Sequence, residues 1–167
     1  CREFTESPAG NMPWANDVIE TASGEIIVLV NEYGNHPINT MHLFKLNANG
    51  EVLWRNPYAS AYQHPGSINP FGNSITITSN NEYMISGEVY WEDDWNPGGP
   101  MAIRSLFVMV DSLGIEKFVL PFGTADTIHG QGHNIYEINS NSYIGVANKW
   151  PIQTMQTVLI NFDSSGV

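Results

Sequence analysis

The sequence is short of cysteine, of basic residues and of long apolar runs, and each shortage excludes a class of protein. A single cysteine among 167 residues rules out an internal disulfide framework. Six basic residues stand against 17 acidic ones, and this net charge of −11 would repel a polyanion such as nucleic acid. No apolar stretch approaches the roughly 20 residues of a transmembrane helix. We therefore expect no nucleic-acid partner and no membrane span.

Helical periodicity is also missing, and the residues that are present favour β-structure. Hydrophobic residues make up 42% of the chain, which is enough for a core, whereas charged residues make up only 14%. Asn, Gly, Ser and Thr fill the difference, and these are residues of turns and half-exposed strands. The length predicts a single domain, and these residue types favour an all-β fold.

A motif recurs three times along the chain: an alternating apolar run, then Asn or Asp, two residues and Gly. The turn glycines are Gly50, Gly114 and Gly166, which lie 64 and 52 residues apart. A second landmark precedes each turn, at residues 18–33, 75–90 and 135–150. Two landmarks in the same order indicate supersecondary units that cannot bury an apolar face alone.

Each copy is interpreted as four short antiparallel strands. In the second copy Ile75 and Ile77 alternate with threonines, which is the period of a half-buried strand. The further strands are predicted at 25–33, 82–90 and 142–150, then at 41–47, 104–111 and 155–163, and finally at 51–54 and 115–120. The Asn/Asp-x-x-Gly turn between the third and fourth strands fits a hairpin with a bulge, which places the glycine at positive φ.

Four strands in about 50 residues is the size of a β-propeller blade. A sandwich is the rival all-β fold, but its strands need not resemble one another at fixed offsets. The copies share the openings "ANDV" (15–18), "GNSI" (72–75) and "GHNI" (132–135), and the hairpin "LFKLNANGEVLW" (43–54) is the fullest. In these features the chain after residue 14 resembles the Asn/Gly-rich β-propeller repeats of surface and secreted proteins of Bacteroidetes-type bacteria. The resemblance implies a fold and not a chemistry.

The repeat predicts two complete blades, at residues 14–58 and 72–122, and a third at 132–167 without its last strand. Propellers use about 4 to 8 blades, and three would leave an open edge. We therefore expect the natural protein to be longer, with this chain as its N-terminal part. The alternative is that two or more chains complete a ring through the open blade edge.

Cys1 resembles the lipid-bearing residue of a mature bacterial lipoprotein, and residues 2–13 then form a polar tether. This resemblance implies a location at the bacterial outer membrane and the cell surface, with lipid on Cys1 as the only membrane contact. The alternative is an incidental cysteine.

A ligand site is expected in the loops, because the loop between strands two and three and the loop to the next blade open on the same face. Aromatic rings stack on sugars and carboxylates accept sugar hydroxyl groups. Such residues are Tyr90, Trp91, Glu92, Asp93, Asp94, Trp95 and Trp150. The alternative is that these aromatics pack: Tyr33, Tyr90 and Trp150 occupy equivalent places, which favours contact between blades.

Metal binding and catalysis find little support in the sequence. His129 and His133 have a spacing seen in metal sites, and His64 lies in the preceding equivalent loop, with Asp126 as a further ligand. His133 takes a variable position of the repeat opening, which favours an ordinary polar role, so we predict no metal and no cofactor. The sequence holds no nucleophile elbow, no H-E-x-x-H, no phosphate-binding glycine loop and no sialidase box.

The expected function is a non-enzymatic, outer-membrane-anchored binding or scaffold module, with a glycan or an outer-membrane protein as its partner. One alternative is a propeller hydrolase acting on polysaccharide, with acid and base drawn from Glu88, Glu92, Asp93, Asp94 and Asp126. Another alternative is an extracellular structural component whose chains associate edge to edge.

Overall fold

The computed structural model describes residues 12–33, 40–62, 69–90, 103–123, 129–149 and 156–166. Within these ranges the chain forms eleven strands and one short 3₁₀ helix, Ser60–Tyr62. The strands are β1 (Met12–Glu20), β2 (Ile26–Tyr33), β3 (Thr40–Leu46), β4 (Val52–Tyr58), β5 (Phe71–Ile77), β6 (Tyr83–Tyr90), β7 (Ile103–Val110), β8 (Glu116–Phe122), β9 (His129–Asn139), β10 (Ser142–Lys149) and β11 (Gln156–Asp163). The described residues include no helix that is both long and apolar enough to cross a membrane.

The strands form three separate antiparallel sheets. Sheet A contains β1 to β4, sheet B contains β5 to β8 and sheet C contains β9 to β11, and in each sheet neighbouring strands follow one another along the chain. The prediction of an all-β fold built from four-stranded antiparallel units is thereby confirmed for sheets A and B.

The second and third strands lie close to their predicted ranges, whereas the fourth strands run further. β4 continues to Tyr58 and β8 to Phe122, through Pro57 and Pro121, which the sequence indicated as loop. Both are edge strands, and an edge strand tolerates proline because the missing N–H is not needed by a further neighbour. β1 likewise begins at Met12, inside the predicted tether.

The predicted Asn/Asp-x-x-Gly hairpins are confirmed. The φ angles of Gly50, Gly114 and Gly166 are +80°, +85° and +83°. A register shift follows the turn in sheets A and B, as expected for a bulge. In sheet B the Oδ1 atom of Asp111 accepts the amide N–H groups of Leu113 and Ile115, at 2.9 and 2.8 Å. The short acidic or amide side chain therefore satisfies the turn's own backbone.

Sheet B lies between sheets A and C, so both of its faces are buried. Successive residues of a strand point to opposite faces, and the side chains of β6 and β7 divide accordingly. The core between A and B contains Ile27, Leu29, Met41, Leu43, Ile75, Tyr83, Ile85, Leu106 and Val108, among others. The core between B and C contains Met84, Phe107, Met109, Ile135, Tyr143, Ala147, Ile160 and Phe162.

The first strands of consecutive sheets are joined by hydrogen bonds. The Asp17 carboxylate of β1 accepts the Ser74 hydroxyl at 3.0 Å and the Ile75 amide N–H at 2.9 Å, both on β5. The Asn73 side chain of β5 donates to the Gly132 carbonyl of β9 at 3.0 Å.

The repeat opening corresponds to a bulge in the first strand of every sheet. The pairing register skips Asn16 in β1, Asn73 in β5 and His133 in β9. The bulge accounts for the polar, variable residue at this place, because an unpaired residue has no fixed cross-strand partner.

Tight turns join β1 to β2, β3 to β4 and the equivalent strands of sheets B and C. These turns all lie at one end of the sheets, which we term the turn-bearing end. At the opposite end, which we term the loop-bearing end, the chain leaves one strand and re-enters the next over longer stretches: Tyr33 to Thr40, Tyr58 to Phe71, Tyr90 to Ile103, Phe122 to His129 and Lys149 to Gln156. Both kinds of longer connection thus share one end, in agreement with the sequence.

Candidate functional site

Buried polar side chains concentrate at the loop-bearing end. Among the described residues they are Asn31, Glu32, His42, Asn69, Ser86, Glu88, Arg104 and Ser105, with Thr78 at the other end. Burial of a polar group costs free energy, so such groups gather where a protein needs them for function or for a specific hydrogen bond.

Between sheets A and B, this end is held by an amide clamp. The Asn31 Nδ2 donates to the carbonyl of Gly72, and its Oδ1 accepts the amide N–H of Gly72, each at 2.8 Å. Leu29 and Met41 pack beside the clamp: a Cβ on Gly72 would lie 2.7 Å from Leu29 Cδ1 and 2.8 Å from Met41 Sδ. The side chains directly beside the clamp are apolar, and the buried Arg104 lies on the same face of sheet B, since it pairs with Val89 of this core.

Between sheets B and C, the three equivalent positions are all different. The strand registers place Ser86 at the position of Leu29, Glu88 at that of Asn31 and Ser105 at that of Met41. The Ser105 hydroxyl donates to the Gly130 carbonyl at 2.7 Å. Small residues suit the close approach of β9 here, since a Cβ on Gly132 would lie 2.8 Å from the Gly87 carbonyl oxygen.

We term Ser86, Glu88, Ser105 and Gln131 the Glu88 cluster. Glu88 is only 8% exposed, and within the described part of the chain its Oε2 and the Ser86 Oγ have no hydrogen-bond partner. Burial raises the pKa of the Glu88 carboxyl, while a hydrogen bond from the Gln131 side chain acts in the opposite direction. The cluster thus holds unused hydrogen-bonding capacity.

Aromatic rings lead from the surface towards this cluster. The exposed Trp14 ring meets the Tyr33 ring edge-on at 5.1 Å, and Tyr33 meets Phe71 at 6.1 Å. Phe71 pairs with Glu88 across β5 and β6. Burial, and then the charge of Glu88, raise the pKa of the Tyr33 hydroxyl. Rings beside a buried carboxyl are suited to a ligand that has apolar faces and hydroxyl groups.

Most of the candidate residues from the sequence lie outside the described residues. These are Cys1, His64, Trp91, Glu92, Asp93, Asp94, Trp95, Asp126 and Trp150. Tyr90 ends β6 and His129 begins β9, with their side chains also outside the description, and His133 is exposed at its bulge. In the described ranges no three His, Cys, Asp or Glu side chains form a group suited to a metal ion.

The sequence identified Glu88 only as one carboxylate among several, and it missed Ser86, Ser105 and Gln131. These residues could have been found by comparing equivalent positions of the three copies. Only the second copy has serines where the first has the apolar residues beside the clamp. The Tyr33 contact with Phe71 of the next sheet agrees with the predicted packing role of that aromatic position in the first copy.

A second buried group lies on the outer face of sheet A. The Arg55 Nη2 is 2.7 Å from Glu32 Oε2, and its guanidinium lies 4.9 Å from the centre of the Phe44 ring. The His42 Nε2 is 2.6 Å from the Thr40 Oγ1 and 3.3 Å from the same Glu32 oxygen. Burial and then the Arg55 charge lower the pKa of His42 to about 4, against the influence of Glu32.

The low pKa of His42 predicts a loss of stability in mild acid. The unfolded chain, with a histidine pKa of 6.5, binds a proton more readily than the folded chain with a pKa of about 4. The stabilising contribution of neutral His42 is therefore complete above pH 6.5 and is lost as the pH falls towards 4. Urea unfolding of the wild type and of His42→Gln at pH 7 and 4.5 measures this contribution. An equal loss of free energy in both proteins would contradict it.

The comparisons of this sequence with known proteins give no indication of its function. No protein-family model matches the sequence, and a search of the curated proteins finds no relative of significant similarity. The function is therefore inferred from the loop-bearing end and its Glu88 cluster.

Proposed function

We propose that the chain forms consecutive blades of a β-propeller and binds a neutral glycan at the loop-bearing end without catalysing a reaction on it. Three features support the propeller. The sheets are up-and-down meanders stacked in chain order, their first strands are joined by hydrogen bonds, and all the longer connections share one end.

The Glu88 cluster is the observation that carries the binding function. A hydroxyl-rich ligand offers hydrogen bonds to the Glu88 Oε2 and the Ser86 Oγ, two buried atoms that lack partners among the described residues. The row of Trp14, Tyr33 and Phe71 offers ring faces and edges to the C–H groups of a sugar. The net charge of −11 disfavours an anionic glycan.

The second candidate function is hydrolysis of a polysaccharide. A carboxyl with a raised pKa is suited to act as a general acid, and burial raises the pKa of Glu88. Release of reducing ends from any glycan that the protein binds would favour this alternative over the binding module.

Substitution of Glu88 by Gln tests the binding site. Titration calorimetry against a panel of neutral oligosaccharides is expected to show about tenfold weaker binding, equivalent to one lost hydrogen bond to a buried carboxyl. Glu20→Gln removes the same charge at the exposed, turn-bearing end of β1 and serves as the matched control. Unchanged affinity in Glu88→Gln, or an equal loss in Glu20→Gln, would contradict the proposed site.

Glu88→Gln is not expected to lower the stability of the protein at neutral pH. Because burial raises the pKa of Glu88, its ionisation is less favourable in the folded chain than in the unfolded chain, and stability is lost as the pH rises. Glu88→Gln is therefore expected to be at least as stable as the wild type at neutral pH. Lost binding in this variant then reports on the site and not on unfolding.

The predicted loop aromatics and the lipid anchor remain separate parts of the proposal. Trp91→Ala and Trp95→Ala proteins, titrated with the same panel, show whether these rings stack on the ligand, and unchanged binding would remove them from the site. Mass spectrometry of the native protein shows whether Cys1 carries a lipid. An unmodified Cys1 would contradict the anchor and leave the binding test unaffected.

A further inference from the structure

The row of aromatic rings beside the Glu88 cluster leads from exposed to buried residues. Trp14 is 55% exposed, whereas Glu88 is 8% exposed and Ser86 is 1% exposed. Tyr33 and Phe71 lie between these two ends of the row and are partly buried. A ligand that reaches the buried carboxyl would therefore contact the rings over the rest of its length.

The spacing of the rings suits consecutive sugar units. The centres of the Trp14 and Tyr33 rings are 5.1 Å apart, and those of the Tyr33 and Phe71 rings are 6.1 Å apart. A pyranose ring with its linkage has a similar length, so each aromatic ring can contact one sugar of a chain. A chain of several sugars would then extend from the cluster to solvent.

The Glu88 cluster is closed towards the turn-bearing end by the core between sheets B and C. On the same face of β6, Glu88 is followed by Ser86 and then by Met84, which is fully buried. Phe107 pairs with Ser86 across β6 and β7 and is also fully buried. Because protein cores are close-packed, the described side chains leave no passage beyond Ser86.

The cluster is also closed on the side of sheet C, by the backbone of β9. The Gly130 carbonyl accepts the Ser105 hydroxyl at 2.7 Å, and a Cβ on Gly132 would lie 2.8 Å from the Gly87 carbonyl oxygen. On the outer side, Phe122 pairs with Ser105 and packs against the same core. A glycan chain cannot pass between strands that approach so closely.

We propose that the Glu88 cluster binds the end of a neutral glycan chain and not its interior. This inference rests on the proposed function and specifies which part of the glycan is recognised. The hydroxyl groups of the terminal sugar bind Glu88 and Ser86, and the sugars that follow lie along the aromatic row. Among the described residues, sheets B and C form the walls of the site and their shared core forms its floor. Such a site admits a chain end, whereas the interior of a chain needs both an entrance and an exit.

Partial hydrolysis of unbranched neutral polysaccharides tests the inference. The probes are amylose, mannan and galactan, each compared before and after partial hydrolysis at the same total mass of glycan. Titration calorimetry with the full chain gives the amount of protein bound per mass of glycan, and we expect this amount to increase in proportion to the number of chain ends. An amount that stays constant or falls as the chains are cut would overturn the inference and leave the proposed function standing. Absence of binding to these probes and to the oligosaccharide panel would contradict both.

Trp14→Ala tests the direction of the bound chain. Oligosaccharides of several units are expected to bind about three- to tenfold more weakly to this variant, because they lose one ring contact, whereas a disaccharide from the same polysaccharide should bind unchanged. Glu88→Gln should weaken the binding of both lengths equally. Tyr136→Ala removes another exposed ring, on β9 of sheet C, and serves as the matched control. Circular dichroism confirms that each variant is folded. Equal weakening of both lengths by Trp14→Ala, or a comparable effect of Tyr136→Ala, would overturn the inference.

Discussion

Replacing Phe107 with Ala is expected to lower the free energy of unfolding by about 3–5 kcal/mol, the usual cost of removing a buried aromatic ring. Phe107 is fully buried between sheets B and C, and its ring stacks on Phe162 at 5.3 Å. Its ring also covers Gly145, where an added Cβ would lie within van der Waals overlap of it. Truncation therefore leaves a cavity that backbone on the facing sheet does not fill.

Urea unfolding at neutral pH measures this effect, and Leu113→Ala is the control. Leu113 is an apolar residue of the exposed turn between β7 and β8, so its truncation is expected to change the free energy of unfolding by less than about 0.5 kcal/mol. A cost below about 1 kcal/mol for Phe107→Ala would mean that sheets B and C do not pack through this ring.

Removing the Asn31 side chain with Ala is expected to have a comparable effect. It leaves both the N–H and the carbonyl of Gly72 buried without their partner, and each such group costs about 1–3 kcal/mol. Because Asn31 joins two sheets, the decrease in the free energy of unfolding measures how much the clamp contributes to the packing of sheet A on sheet B.

Asn31→Asp gives the same site a pH signature. An ionised Asp accepts the Gly72 N–H but faces the Gly72 carbonyl, whereas a protonated Asp can donate to it. The folded state therefore favours the protonated form, so the stability of this variant relative to the wild type should fall as the pH rises. Urea unfolding at two pH values measures the slope, with Asn49→Asp in an exposed turn as the control. A stability difference between Asn31→Asp and the wild type that does not depend on pH would contradict the clamp.

The repeat could be predicted from the sequence because each turn and each strand is specified by residues that are neighbours in the chain. The positive φ of Gly50 follows from the Asn47 turn, whose side chain accepts the backbone N–H groups of Asn49 and Glu51. The alternation of Ile75 and Ile77 likewise specifies a strand without reference to the rest of the chain. The ends of β4 and β8 could not be predicted in this way. Proline is tolerated in these strands only because both lie at the edge of a sheet.

The Glu88 cluster was not readable in the same way. Ser86, Ser105 and Gln131 are ordinary strand residues, and they acquire significance only because sheet C covers sheet B at that place. Ligand binding by Trp91 and Trp95 was predicted only from the residue types in their loop, and it stays a prediction.

The sequence by itself determined three repeated antiparallel units and their hairpin turns, because turn chemistry and strand period are properties of neighbouring residues. The net charge of −11 predicts in addition that nucleic acid is not a partner. Only the tertiary structure decided which faces are buried, which polar side chains lie between the sheets, and that Leu159 and Val18 are exposed. These depend on contacts between residues far apart in the sequence, such as Asn31 and Gly72, which are 41 positions apart and which no local pattern encodes.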